Sequence, residues 1–359
     1  MKKFMLLTTV VGLALTSCVN DTEVAPSPNR PLVSFDSPVM RSTRANNKGE
    51  IQGTTYPTSE DFVVFCKLHE GGYKGWNTNT SDYFQANGDV ASHDQKTSYW
   101  VTGKTYYWPD AGYKLSFAAY SPAVLDNVAV VTRTETGFSI TDFKVSDTSD
   151  EHYDLMYTGT VANSVYNGQA VPLKFRHAMS SIVFSSSKEN EDVTYKITDL
   201  KLLGNLYTEG DFSQNLVETV SAEGYTETEN PSWDFTGRDK AAVSYEPTFK
   251  EFEVPASAPM IFTENQSAIL PIPQKIDGTV RVRISYEKTV NGSTTTTYHT
   301  AEIKLIDFVE VNDGKTVTSE WVVGKRYIYR IEFGQNKRIY FNPSVSEWET
   351  GGTYRYTIN

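Results

Sequence analysis

The sequence predicts an all-β protein built as two tandem β-sandwich domains with few short helices. Three observations predict this. Apolar residues recur at every second position through most of the chain, the period of a pleated strand with one buried face. Aromatic residues are abundant, with 22 Tyr, 18 Phe and 6 Trp among 359 residues, and they suit such surfaces. Gly, Asn and Asp punctuate the runs at short intervals without any long, capped helical pattern, which favours sandwiches over strand–helix–strand units.

The first eighteen residues read as an export signal. Lys2 and Lys3 precede an apolar run from Phe4 to Leu15. That run is too short to span a bilayer and the right length for the core of a signal peptide. Leu15-Thr16-Ser17-Cys18 closes it. A small residue before a cysteine is what a lipoprotein signal peptidase accepts once the thiol carries a diacylglyceryl group. Residues 1–17 are therefore expected to be a signal peptide, and Cys18 the lipidated first residue of a Gram-negative envelope protein. No second apolar run approaches about 20 residues, so the lipid is the only membrane attachment the sequence suggests. Each buried CH₂ of such a chain adds about 0.8 kcal/mol.

Residues 19–31, with Pro26, Pro28 and Pro31, form an extended tether that reaches roughly 40 Å. Leu32-Val-Ser-Phe35 is a short apolar run fit for one strand. Met40 to Asn47 is small, polar and basic, as in an exposed loop open to a protease. Tether and first strand together occupy residues 18–45. Strands follow at Asp61–Cys66 and at Lys114–Tyr120, where Leu115, Phe117 and Ala119 share a face. Val171, Leu173, Phe175 and His177 face one way, opposite Lys174 and Arg176; Ile182 and Phe184 come next. Val280–Tyr286 alternates apolar with basic, and Tyr327, Tyr329, Ile331 and Phe333 lie opposite Arg330 and Glu332. The boundary is expected near 178, giving domains at 46–177 and 178–359. Trp100-Val-Thr-Gly-Lys-Thr-Tyr-Tyr-Trp108 echoes Trp321-Val-Val-Gly-Lys-Arg-Tyr-Ile-Tyr329, which fits two similar β-domains and fits shared hairpin chemistry equally well.

Chemistry is sparse. The formal net charge of −11 disfavours phosphate backbones, so no nucleic-acid partner is expected. With Cys18 lipidated, Cys66 is left alone, and its strand-like run suggests a buried, inert thiol. The five histidines form no metal-binding spacing, and the nucleophile-elbow and phosphate-loop motifs are missing. No enzyme activity, cofactor or metal is expected. The acidic cluster Asp147 to Asp154 has the ligand type that holds Ca²⁺ and also suits a solvated loop. Trp100, Tyr106, Tyr107 and Trp108 suit either a sugar-stacking platform or a core of cross-strand pairs. The platform would make this a surface glycan-binding lipoprotein associated with polysaccharide uptake.

Several segments together resemble the fimbrillin-like proteins of Bacteroidota. They are the Cys18 lipobox, the Leu32–Phe35 run, Arg-Ser-Thr-Arg-Ala at 41–45, Tyr-Tyr-Trp-Pro at 106–109, Leu-Ser-Phe-Ala-Ala-Tyr-Ser-Pro at 115–122 and Asp-Leu-Met-Tyr at 154–157. The segment Leu-Lys-Phe-Arg-His-Ala-Met-Ser-Ser-Ile-Val-Phe at 173–184 and the ending at 324–329 and 343–348 fit too. Asn20, Asp21 and Glu23, just after the cysteine, resemble that phylum's signal for export to the outer face of the outer membrane. The resemblance implies transthyretin-like sandwiches and a lipid-anchored subunit of a type V pilus, in stalk, tip or accessory position, supporting adhesion. It implies further that an arginine-specific protease at the cell surface removes the tether and first strand, opening a groove for a strand of the next pilin subunit. Carried to this chain, Arg44–Ala45 is the best cleavage match and Arg41–Ser42 the second. Host or bacterial surface ligands would be further partners. The tail, Thr353 to Asn359, places Tyr354, Tyr356 and Ile358 on one face behind the Gly351-Gly352 hinge. That pattern suits a donor strand, and suits equally an edge strand of the chain's own C-terminal domain.

Overall fold

The structure is a computed structural model. It describes residues 30–36, 56–70, 80–125, 130–134, 137–159, 161–221, 224–256, 258–263, 268–307, 309–310, 319–334, 339–340 and 354–355. The described residues are nearly all β, in four sheets, with two three-residue 3₁₀ turns and no α-helix.

The first sheet has ten strands. Along its main path they run Val171–Pro172, Phe35–Asp36, Tyr99–Thr102, Asp89–Asp94, Phe62–Glu70, Tyr113–Ser121, Met156–Thr158 and Phe175–His177. The two ends of this path are neighbours in sequence, separated only by Leu173 and Lys174. The sheet therefore has to roll until its ends meet, enclosing one core. Alternation assigns the faces. Phe62, Val64, Cys66, Leu115, Phe117, Ala119 and Phe175 point into that core. Val63, Phe65, Ala118 and Tyr120, one residue out of phase, point the other way into a second, larger cluster. The two central strands are thus buried on both faces, which is why Phe62–Cys66 reads as an unbroken apolar run rather than an alternating one.

After His177 the chain passes directly into Ser181–Lys188, which pairs in parallel over eight residues with Arg326–Phe333 in a six-stranded sheet. A five-stranded sheet is ordered Ala241–Tyr245, Val193–Leu206, Arg281–Val290 and Thr296–Lys304, with Phe252–Glu253 added on Val193–Leu206. The expected faces are observed here. Val280, Val282 and Ile284 are buried, while Arg281 and Arg283 point outward onto Glu302. The long Val193–Leu206 strand changes phase midway. Val193, Tyr195 and Ile197 point inward, then Leu200, Leu202 and Leu206 do. One extra residue, Thr198, stands between the pairs Ile197–Tyr286 and Asp199–Ser285. Such a bulge shifts the pleat by one and keeps both halves of the strand facing the core.

The fourth sheet joins what the sequence suggested were separate units. Its order is Gly224–Asp234, Glu209–Ser221, Gly137–Lys144, Val130–Thr134, two strands from each side of residue 178. Phe138 stacks on Phe65 at 5.7 Å and lies 6.3 Å from Phe212, so one aromatic layer spans the junction. Arg238 bonds Asp142 on one side and Glu209 and Asp211 on the other. The Trp233 indole donates to the Ala178 carbonyl at 2.8 Å.

His152 is buried at the same junction. Its Nδ1 accepts from the Leu270 amide at 3.0 Å, so Nε2 carries the proton and donates to the Ser146 carbonyl at 2.9 Å. Tyr245 meets the ring edge-on at 4.8 Å. Burial pushes the pKa of His152 down to about 4, against about 6.5 for an exposed imidazole. Between those values the unfolded chain binds a proton that the folded chain refuses, so stability falls as pH drops from about 6.5 to 4. The loss from this group reaches about 3 kcal/mol. Urea unfolding of wild type and His152→Gln at pH 7 and pH 4.5 should show the variant less stable at pH 7 but with the smaller acid-induced loss. Equal losses in both would contradict this account.

Candidate functional site: the slot of the first strand

The segment from Pro31 to Asp36 alternates Leu32, Ser34 and Asp36 outward with Val33 and Phe35 inward. Leu32 is 52% exposed, whereas Val33 and Phe35 are buried. Regular pairing is confined to Phe35–Asp36, shorter than the Leu32–Phe35 strand expected, and an isolated bridge joins Leu32 to Tyr107. Both edges of the segment are occupied. On one side Phe35 pairs antiparallel with Trp100, the Val33 amide donates to the Tyr106 carbonyl at 2.9 Å, and the Trp108 amide donates to the Pro31 carbonyl at 3.0 Å. On the other, Phe35 and Asp36 run parallel to Val171 and Pro172. There the Val171 amide donates to Ser34 and the Leu173 amide to Asp36, each at 2.8 Å.

The slot grades from polar to apolar along its length. At the Pro31 end, Arg30 forms an ion pair with Asp110, and the Tyr83 hydroxyl donates to the Tyr107 carbonyl. Behind it the Asp89 carboxylate accepts from the Tyr106 hydroxyl at 2.9 Å and from the Gln85 amide and side chain. Burial, first, and this bond to Asp89 raise the pKa of Tyr106, keeping its proton on the phenol. At the far end Phe35 lies edge-to-face against three rings, with centroids 5.5 Å from Phe117, 6.1 Å from Phe62 and 6.3 Å from Phe84. Such pairs add about 0.5–1.5 kcal/mol each beyond area burial. Cys66 is buried near this core, and burial raises its thiol pKa far above the ordinary value, as an inert packing residue requires.

Other expected residues divide as follows. Trp100, Tyr106 and Trp108 are buried in the core of the rolled sheet and present no stacking platform. The Trp100 indole donates to the Glu60 carbonyl at 3.2 Å. In the acidic cluster, Asp154 pairs with His177 at 2.8 Å and Asp150 accepts from Thr248, and among the described residues no group of three or more ligand side chains is placed to hold a metal. Cys18, Arg41, Ser42, Arg44, Ala45, Tyr356 and Ile358 lie outside the described residues. Tyr354–Arg355 lies within the six-stranded sheet, parallel to Tyr329 and antiparallel to Val309–Glu310. One pattern escaped sequence reasoning. The first strand and the tail strand each sit between one parallel and one antiparallel neighbour.

A fimbrillin-like family model matches residues 58–348. Among solved structures, a fimbrial protein from Bacteroides vulgatus is similar over 89% of this chain and 100% of its own, at 15% identity and a TM-score of 0.58. A candidate cell adhesion protein from Bacteroides uniformis covers 88% of this chain and 99% of its own, at 15% identity and a TM-score of 0.45. No curated protein is significantly similar. Identities this low speak to fold alone, but the family match covers far more than half of the sequence. This chain belongs to the fimbrillin-like family.

Proposed function

We propose that the chain is a structural subunit of a surface fimbria, exported as a lipoprotein and assembled by exchange of its first β-strand. The observation that carries this reading is the placement of residues 31–36. They are paired on both edges and plug the core with two side chains, Val33 and Phe35. Their link to the rest of the domain runs through residues 37–55, which contain Arg41 and Arg44. A cut after Arg44, or secondarily after Arg41, severs that link without touching any described strand. Loss of the strand bares unpaired N–H and C=O groups on two strands at once, together with an apolar groove. An incoming strand satisfies both.

In this reading the protein is two β-sandwiches meeting near residue 178. Cys18 carries the lipid that holds the subunit on the outer membrane until an arginine-specific protease acts, and the tail, through Tyr354, Tyr356 and Ile358, is the donor to the next pilin subunit. The tail's mixed pairing, matching that of the first strand, supports this. Family membership supports a fimbrial, adhesive role rather than an enzymatic one. The glycan-binding reading is weakened, since three of its four platform aromatics, Trp100, Tyr106 and Trp108, are core residues and Tyr107 is half-buried.

Mass spectrometry of the assembled, surface-exposed protein should find Ala45 at the N-terminus; an intact acylated Cys18 throughout the polymer would sink the proposal. Purified protein treated with an arginine-specific protease should form a ladder of oligomers, and deletion of residues 351–359 should abolish it. Before any cleavage, Phe35→Ala should cost about 3–5 kcal/mol in denaturant unfolding of the full chain, the range for emptying a buried phenylalanine site. A cost under about 1 kcal/mol would mean that the strand does not hold the domain closed.

A further inference from the structure

The grading of the slot has a consequence for what it accepts. We infer that the slot selects its incoming strand through one deep pocket walled by aromatic rings, the one Phe35 fills, and that the tail of a second copy enters with Ile358 in that pocket. The inference rests on the strand-exchange reading above.

Period two sets the buried Val33 and Phe35 on the inward face, with the half-buried Pro31 in line behind them, and Leu32 and Ser34 on the outward face. Laying Tyr354-Arg355-Tyr356-Thr357-Ile358 over Pro31-Leu32-Val33-Ser34-Phe35 puts Arg355 at the exposed Leu32 position and Thr357 at the Ser34 position. Tyr354 and Tyr356 then fall toward the end of the slot that keeps Asp110, the carboxylate Arg30 leaves behind, and the Tyr83 hydroxyl, where phenol groups meet polar neighbours. Ile358 falls among Phe62, Phe84 and Phe117.

The two nearest registers that still fill the pocket fail on elementary grounds. A slip of one residue turns Arg355 and Thr357 inward. A slip of two puts Tyr356 in the deep pocket and buries its hydroxyl among ring edges. A buried hydroxyl without a partner weakens binding by about tenfold or more. The tail thus pairs a polar-tipped end with the polar end of the slot and a hydrocarbon end with the hydrocarbon pocket.

Two measurements test this. In the full chain, Phe35→Tyr should lower the folding equilibrium by about tenfold or more relative to Phe35→Leu, because the hydroxyl and not the ring is at fault. Equal or greater stability of the tyrosine variant overturns the pocket's selectivity whether or not any polymer forms. In full chains treated with an arginine-specific protease, Ile358→Phe should polymerise at close to the wild-type rate and Tyr356→Phe likewise. Ile358→Tyr and Ile358→Ser should be slowed about tenfold or more. If wild type polymerises and Ile358→Ser keeps pace with it, the assigned register is wrong. If wild type does not polymerise at all, strand exchange itself fails and the register falls with it, even should the Phe35 comparison succeed.

Discussion

Six residues of backbone, Pro31 to Asp36, lie between the strand Tyr99–Thr102 with its continuation to Trp108 and the short strand Val171–Pro172. Neither neighbour is long, and neither pairs with the other. Take the six residues away and the rolled sheet opens along a seam with bare polar groups on both lips and Phe62, Phe84 and Phe117 facing the gap. Everything that makes the N-terminal half a closed body depends on that seam being filled. The filler contributes little of its own beyond two inward side chains, a handful of main-chain bonds and the Arg30–Asp110 pair at its mouth. A piece so small can be indispensable to closure and still be chemically replaceable, because what the seam needs is a backbone of the right alternation with a hydrocarbon side chain at its deep end rather than one particular sequence.

The second constraint is the four-stranded sheet. In the proposed exchange, a subunit that receives a strand in one half and offers one from the other has to hold the two halves in a fixed relation. Here the relation is set by main-chain pairing. Gly137–Lys144 pairs with Glu209–Ser221 across the boundary, Phe138 and Phe212 continue the aromatic layer through it, and Arg238 bridges carboxylates on both sides. Gly137 shows how tight this joint is. Its φ is +139°, and a Cβ there would stand 2.2 Å from the Gln214 backbone carbonyl oxygen, so no larger residue fits without parting the strands.

Much of the fold was legible because period-two alternation is a local property. The faces of Leu115–Ala119, Val280–Ile284 and Tyr327–Phe333 follow from adjacent residues alone, and so does the inward pair Val33 and Phe35. What escaped is non-local. That Gly137–Lys144 crosses to join strands some 70 residues later is not written in its own alternation. The Thr198 bulge shows only once its partner strand is known. The two copies of the Trp-Val-x-Gly-Lys motif sit in different surroundings. Gly324 has a φ of +68° and a Cβ there would stand 3.2 Å from the His177 carbonyl oxygen, whereas a Cβ on Gly103 would meet nothing. The Trp321 indole reaches the Tyr329 hydroxyl, but the Trp100 indole reaches a backbone carbonyl. Similar residues were reused in different hydrogen-bonding roles.

The mixed pairing of the two terminal strands bears on why a protease rather than unfolding would trigger exchange. A tail leaving the place between Tyr329 and Val309–Glu310 gives up one parallel and one antiparallel neighbour, and the slot of another copy offers the same kinds of neighbour. The pairings lost and gained are alike, so little free energy favours the swap by itself. What opposes it is tethering. In the proposed exchange, an uncut link would keep the first strand at an effective concentration on the order of millimolar, so that any opening would be refilled from within. A cut in that link leaves every contact of the strand in place and removes only its concentration advantage. Once displaced, the severed fragment is no longer tied to the groove it left, whereas the incoming tail would remain attached to a whole subunit. Cleavage would then act on the entropy of the competitor rather than on the strength of any bond the strand makes.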